Sequence, residues 1–201
     1  MGKLAIDVVL LPSDEMMGKA VDINRELLKD NKDKIVLDKE KCLPHISLCM
    51  GVIEDKDIED VEKVLKGISK EFSPFHLTAE KLKADKIPTG DIVSGIKVAN
   101  HEELQKLHET VMNKLWKYLS YDVDTSMFYN PEEVEEVTTY WVKKYADKHE
   151  NPFLFHPHIT VGFGHTDKFE FPMEFKVSTL ALCQLGNYCT CRKVLSSTEL
   201  E

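Results

Sequence analysis

Two nine-residue segments repeat one order of chemical types 113 residues apart: Leu43-Pro44-His45-Ile46-Ser47-Leu48-Cys49-Met50-Gly51 and His156-Pro157-His158-Ile159-Thr160-Val161-Gly162-Phe163-Gly164. Each places an imidazole after a proline, a hydroxyl two residues on, and a glycine four residues after the hydroxyl. The apolar, β-branched surroundings predict strands. Residues two apart on a strand share a face, so His45 is expected beside Ser47 and His158 beside Thr160. An imidazole takes or gives a proton near neutral pH, and a hydroxyl hydrogen-bonds an oxyanion. Two such pairs facing one another would hold a phosphate and supply both an acid and a base.

Four matches to His-x-Ser/Thr occur in this chain, which holds eight histidines; roughly one is expected by chance, so context must decide. His108 lies among Leu104, Leu107, Val111, Leu115 and Leu119. That is helical spacing, on which residues two apart do not face each other. His76 opens a strand but lacks the proline and the apolar continuation, and Glu80 on its face would repel a phosphate. It reads as a surface strand start. Either remaining histidine alone would read as a strand start after proline; the matched flanks single out the pair.

The elements that must position them are interleaved strands and helices. Strands are expected over about 3–11, 43–53, 75–84, 92–99, 156–164, 174–186 and 190–198, by apolar and β-branched runs between turn signals. Helices are expected over 14–30, with Ser13 as N-cap, and over 58–72 along Ile58, Val61, Leu65, Ile68 and Phe72. A third covers 101–119, with Asn100 and Glu103 as its capping pair. The segment from Ser120 to Asn130 has no clear period. Asn130-Pro131-Glu132-Glu133 then predicts a helix start, with Val134, Val137, Trp141 and Tyr145 as the buried stripe and Tyr140, Lys143 and Lys144 off it. Ile87-Pro88-Thr89-Gly90-Asp91 and Gly186-Asn187 read as turns. The predicted fold is α+β and bilobal: a pseudo-twofold arrangement of two small, mostly antiparallel sheets, helices outside, the two histidine strands meeting at a central cleft.

At 201 residues, 42% hydrophobic and 30% charged, the chain reads as one globular domain, 1–201. No run approaches the roughly 20 apolar residues of a membrane span, and Asp7 interrupts the N-terminal apolar stretch Leu4–Leu11. Neither a membrane nor a lipid anchor is expected, since Ile6 stands where a myristoylation site needs Ser or Thr. Five cysteines, an odd number, predict no disulfide framework and a cytoplasmic protein. Cys189-Thr190-Cys191 reads as strand cysteines rather than half of a zinc site. A net charge of −9 argues against a partner gripped along a long nucleic-acid backbone. Local basic patches at Arg192-Lys193 and Lys81/Lys83 read as solvated. The expected partner is a small nucleotide or an RNA end, and the chain is expected to be a monomer.

Paired His-x-Ser/Thr tetrapeptides in strands, one in each half of about 200 residues, resemble the two-histidine (2H) phosphoesterase superfamily. Its members include 2′-5′ RNA ligase-like proteins and cyclic nucleotide phosphodiesterases. The matching tetrapeptides are His45-Ile46-Ser47-Leu48 and His158-Ile159-Thr160-Val161. The strand and helix from Ile92 to Leu119 and the closing strand ending in Leu195 are also similar to that family. The resemblance implies cleavage of a 2′,3′-cyclic phosphate or a 2′-5′ linkage with no metal or other cofactor. His45 and His158 would be the catalytic acid and base, and Ser47 and Thr160 would bind the phosphate. The segment at about 120–150 is long for compact members and reads as a helical insertion reshaping the cleft. Two other classes compete: a metal hydrolase using His156, His158 and His165, and a non-catalytic nucleotide- or RNA-end-binding protein. Strict strand alternation puts His165 on the opposite face from His156 and His158, which counts against the first.

Overall fold

A computed structural model describes residues 2–30, 34–87 and 89–201; Pro88, within the expected 87–91 turn, lies outside them. Seven strands are joined in one antiparallel sheet: β1 Lys3–Pro12, β2 Ile46–Glu54, β3 Phe75–Lys86, β4 Ile92–Val98, β5 His158–Phe163, β6 Met173–Gly186 and β7 Thr190–Glu199. The hydrogen-bonded order is β2-β1-β6-β3-β4-β5, with β7 also on β6. The two expected small sheets are thus the halves of a continuous one. β6 joins them: its residues 177–184 pair with β1, its residues 173–177 with β3, and β7 lines residues 179–186.

The strands that carry the site alternate in face, with register shifts at Val8/Val9 on β1 and at Ser94/Gly95 on β4 beside β5. On β1, Ile6, Val8 and Leu10 belong to the main core under the helices, while Ala5, Asp7 and Val9 face the other side. On β5, Ile159 and Val161 are buried in that core, which sends His158 and Thr160 to the opposite face. Helix α1 (Asp14–Leu27) starts at Ser13, whose hydroxyl accepts from the Met16 amide. It packs beside β5, whereas α3 (Glu102–Leu115), from the second half, packs beside β2. Each histidine strand is therefore backed by a helix from the other half. Helix α2 (Ile58–Ser69) buries Val61, Leu65 and Ile68 on the predicted stripe.

The α3 cap and the helix start at Asn130-Pro131 need correction. Helix α3 begins after His101, not Asn100, and has no side-chain cap; the His101 ring is stacked on Phe75, 5.2 Å between centroids. Pro131 opens only a 3-10 turn, Pro131–Glu133. Val134 and Glu135 are extended, and helix α4 starts afterwards, Glu136–Tyr145, followed by the single turn α5, Asp147–Glu150. The break has a tertiary cause: the Glu135 amide donates to Asn187 Oδ1 at 3.1 Å, and its carboxylate accepts from the Tyr188 hydroxyl. The buried α4 residues are accordingly Thr138, Val142 and Tyr145, one position off the predicted stripe except at Tyr145.

Cys183 and Cys191 are bonded across β6 and β7, with Cα atoms 5.7 Å apart, where no disulfide was expected. The two are not ladder partners, since Cys183 pairs with Val194 and Cys191 with Leu185; the register shifts at Leu182/Cys183 and Gln184/Leu185 accompany their approach to within disulfide range. No helix among the described residues is long and apolar enough to cross a membrane.

Candidate active site

The site is built on the sheet face opposite α1, α2 and α3. β2 and β5, the two ends of the hydrogen-bonded path, come close to each other there without sharing a ladder. His45 and His158 stand at their starts. Each imidazole is fixed in the same way: His45 Nδ1 donates to the Leu43 carbonyl at 2.7 Å, and His158 Nδ1 to the His156 carbonyl at 2.9 Å. Because a carbonyl only accepts, Nδ1 carries the proton in both rings. That leaves Nε2 as the working nitrogen of each.

The two are close enough for charge on one to disfavour charge on the other. Burial, and then the neighbouring His158, pushes His45 down to about 4 despite its bond to Leu43. His158 reaches solvent, but protein packed around it also lowers its proton affinity, and Lys148 adds to that. Of the pair, His158 is the more open to solvent. Ser47 and Thr160 are half-buried, each on its histidine's face.

Three further side chains complete the site, and none was singled out as functional by the sequence reading. Asp7 is fully buried, and its carboxylate lies 3.8 Å from His45 Nε2. Burial pushes it up to about 7, although the Ser47 hydroxyl and the Cys49 amide draw it down; neither completes a hydrogen bond. Its signal in the sequence was a lone carboxylate inside the apolar run Leu4–Leu11. Tyr145, buried at the end of α4, donates its hydroxyl to the Ser47 carbonyl at 3.0 Å. Lys148, on α5, holds Nζ 3.7 Å from the centre of the Tyr145 ring. Burial lowers Lys148 to about 8, partly offset by Asp7. Nothing in the local sequence around Lys148 distinguishes it from Lys143 or Lys144, so only the fold reveals it.

The remaining sequence candidates fall elsewhere. His108 is buried on α3, stacked on Phe155 at 4.0 Å and bonded to the Leu48 carbonyl at 2.7 Å. His76 is exposed on β3. His165 pairs with Asp167 at 2.8 Å, and among the described residues no three His, Cys, Asp or Glu side chains converge as metal ligands would. Lys83 is paired with Asp85, and the Arg192 guanidinium lies over the Tyr129 ring.

A family model for the 2′-5′ RNA ligase superfamily matches residues 31–187. The chain belongs to that superfamily. Both tetrapeptides fall inside the matched range, and the superfamily supports a phosphoesterase-type function. Solved structures with the same fold include TT0787 of Thermus thermophilus, at 16% identity and a TM-score of 0.62 over 98% of each chain. Escherichia coli LigT complexed with ATP aligns at 12% identity and 0.60, over 100% of this chain and 99% of the other. Its NADP+ complex aligns at 12% and 0.59 over 98% of each. No curated protein matches the chain.

Proposed function

We propose that this superfamily member is a phosphoesterase that opens a 2′,3′-cyclic phosphate or cleaves a 2′-5′ phosphodiester in a nucleotide or RNA end, with His45 as general base and His158 as general acid. The observation that carries the reading is the matched tethering of the two imidazoles, which leaves both Nε2 atoms available on one face. The neutral His45 accepts the proton of an attacking water as the water oxygen bonds to phosphorus. The bond from phosphorus to the ribose oxygen breaks, and His158, once protonated, gives its proton to that oxygen. Ser47 and Thr160 hydrogen-bond the non-bridging oxygens and stabilise their growing charge. The protein supplies both acid and base, so the scheme calls for no metal. LigT has been crystallised with phosphate and with 3′-AMP, and ligands of that chemistry suit such a cleft.

The test is hydrolysis, in the presence of EDTA, of a panel of 2′,3′-cyclic nucleotides, 2′-5′ dinucleotides and ADP-ribose cyclic phosphate. Each general acid or base contributes about 10²–10⁴-fold. His45→Ala and His158→Ala should each lose activity by that factor or more while keeping the native circular dichroism spectrum. Undiminished turnover in either variant overturns the assignment. Product formation abolished by chelation would favour the metal-hydrolase alternative, and tight binding without product the non-catalytic one.

A further inference from the structure

Lys148 stands apart from the other lysines that the structure places near a charge. It is only partly exposed, packs its ammonium on an aromatic face, and has no carboxylate within ion-pair distance among the described residues. Lysine ammonium groups taken from water are normally paired, because desolvation is costly. The charged and titratable groups that bear on it come from every side of the cleft: Asp7 on β1, Cys49 on β2, Cys189 beside β7, His158 on β5, His108 on α3 and Tyr145 on α4. Its ammonium lies over the Tyr145 ring, whose hydroxyl is bonded to the Ser47 carbonyl, which places it beside the strand that carries His45 and Ser47.

Its placement is fixed rather than incidental. Val123, Phe128 and Val142 of the 120–150 segment pack on Ala5, Val52 and Leu185, the sheet face that carries Asp7. Thr138 Oγ1 donates to Asn187 Oδ1 at 2.8 Å and accepts from the Tyr188 amide at 2.9 Å. Tyr145 is anchored to the Ser47 carbonyl, and His149, next to Lys148, stacks on Trp116 at 3.7 Å. The chain on both sides of Lys148 is thereby held while its ammonium is left without an anion.

We propose that Lys148 is a third catalytic residue, whose ammonium binds a non-bridging oxygen of the phosphate held between His45 and His158. The inference rests on the phosphoesterase reading for its substrate, and it gives the 120–150 segment a role in the chemistry. With both imidazoles neutral in the free protein, Lys148 is the cation that the cleft offers to an incoming phosphate. A charge-assisted hydrogen bond of this kind corresponds to about 10–100-fold in affinity or rate.

Calorimetric titration of the whole protein with inorganic phosphate tests this independently of turnover. Lys148→Met keeps the apolar stem over Tyr145 and removes the charge; it should weaken phosphate binding about 10–100-fold at about pH 7.5. Lys148→Arg should restore it. Wild-type affinity should fall between about pH 7.5 and 9.5 as the ammonium deprotonates, while the arginine variant, which stays charged, should hold its affinity. Cys49, Cys189 and Tyr145 are all raised by burial and stay neutral across that interval. Equal phosphate affinity in wild type and Lys148→Met overturns the proposal, as does a wild type that binds no phosphate. If the methionine variant binds and turns over like wild type while His45→Ala is dead, the Lys148 inference fails and the two-histidine reading stands. If no substrate is turned over but the phosphate series behaves as described, the failure belongs to the hydrolysis reading alone.

Discussion

Burial shifts the proton affinities of Asp7 and His45 in opposite directions, and the two shifts have opposite consequences for stability. The folded state raises Asp7 from 3.8 to about 7, so the stability it contributes is complete below 3.8 and is lost as pH rises through 7. His45 falls from 6.5 to about 4, so its contribution is present above 6.5 and lost as pH falls through 4. Between those limits the two oppose one another. Asp7→Asn leaves only the histidine effect, so its stability relative to wild type should climb by about 1.4 kcal/mol per pH unit, up to ~4 kcal/mol near neutrality. Urea unfolding of both proteins at acid and neutral pH measures this; parallel pH curves would contradict it. At this scale the two histidines and two hydroxyls were legible because they recur with their flanks. Asp7 and Lys148 were not, since each becomes part of the site only through burial beside residues distant in the chain.

Asn24 shows how an element far from the chemistry holds it in place. Its side-chain amide, buried on α1, donates to the Ile35 and Val161 carbonyls and accepts from the Leu37 amide, each at 2.9 Å. It thus ties the helix to the strand that carries His158 and Thr160. Gly162 sits beside it with φ of +132°, and a Cβ there would stand 2.9 Å from Asn24 Nδ2, so both backbone angle and space require glycine. Asn24→Ala should cost about 2–4 kcal/mol, three hydrogen bonds at about 1 kcal/mol each with buried groups left unpaired. Thermal melting checks the cost, and a loss below about 1 kcal/mol would show that water replaces the amide. The strands and first two helices were readable because alternation and helical spacing coincide with burial. The start of α4 was not, because Asn187 and Tyr188 claim Glu135 before the helix can begin, and no local pattern records a partner about 50 residues away.

At the scale of the molecule, β6 belongs to both halves, so neither can lose its sheet without disturbing the other. A single unfolding transition should result. Tryptophan fluorescence reports Trp116 and Trp141, which flank and occupy the 120–150 segment, whereas far-ultraviolet circular dichroism reports the sheet and helices. The two should give coincident urea midpoints; a fluorescence transition at lower urea would mean that the segment comes away by itself. The α+β class and the meeting of the histidine strands could be read from the order of elements. Continuity through β6 could not, since a 14-residue strand looks the same in sequence whether it serves one sheet or two.

The histidine strands lie at opposite ends of that hydrogen-bonded path and share no ladder across the gap. The spacing between the two Nε2 atoms is consequently the sum of every strand-to-strand rotation in between. The site behaves as a caliper whose opening is set by the curvature of the whole sheet. A phosphate gripped between its jaws would act as the missing crosslink that closes the sheet into a ring.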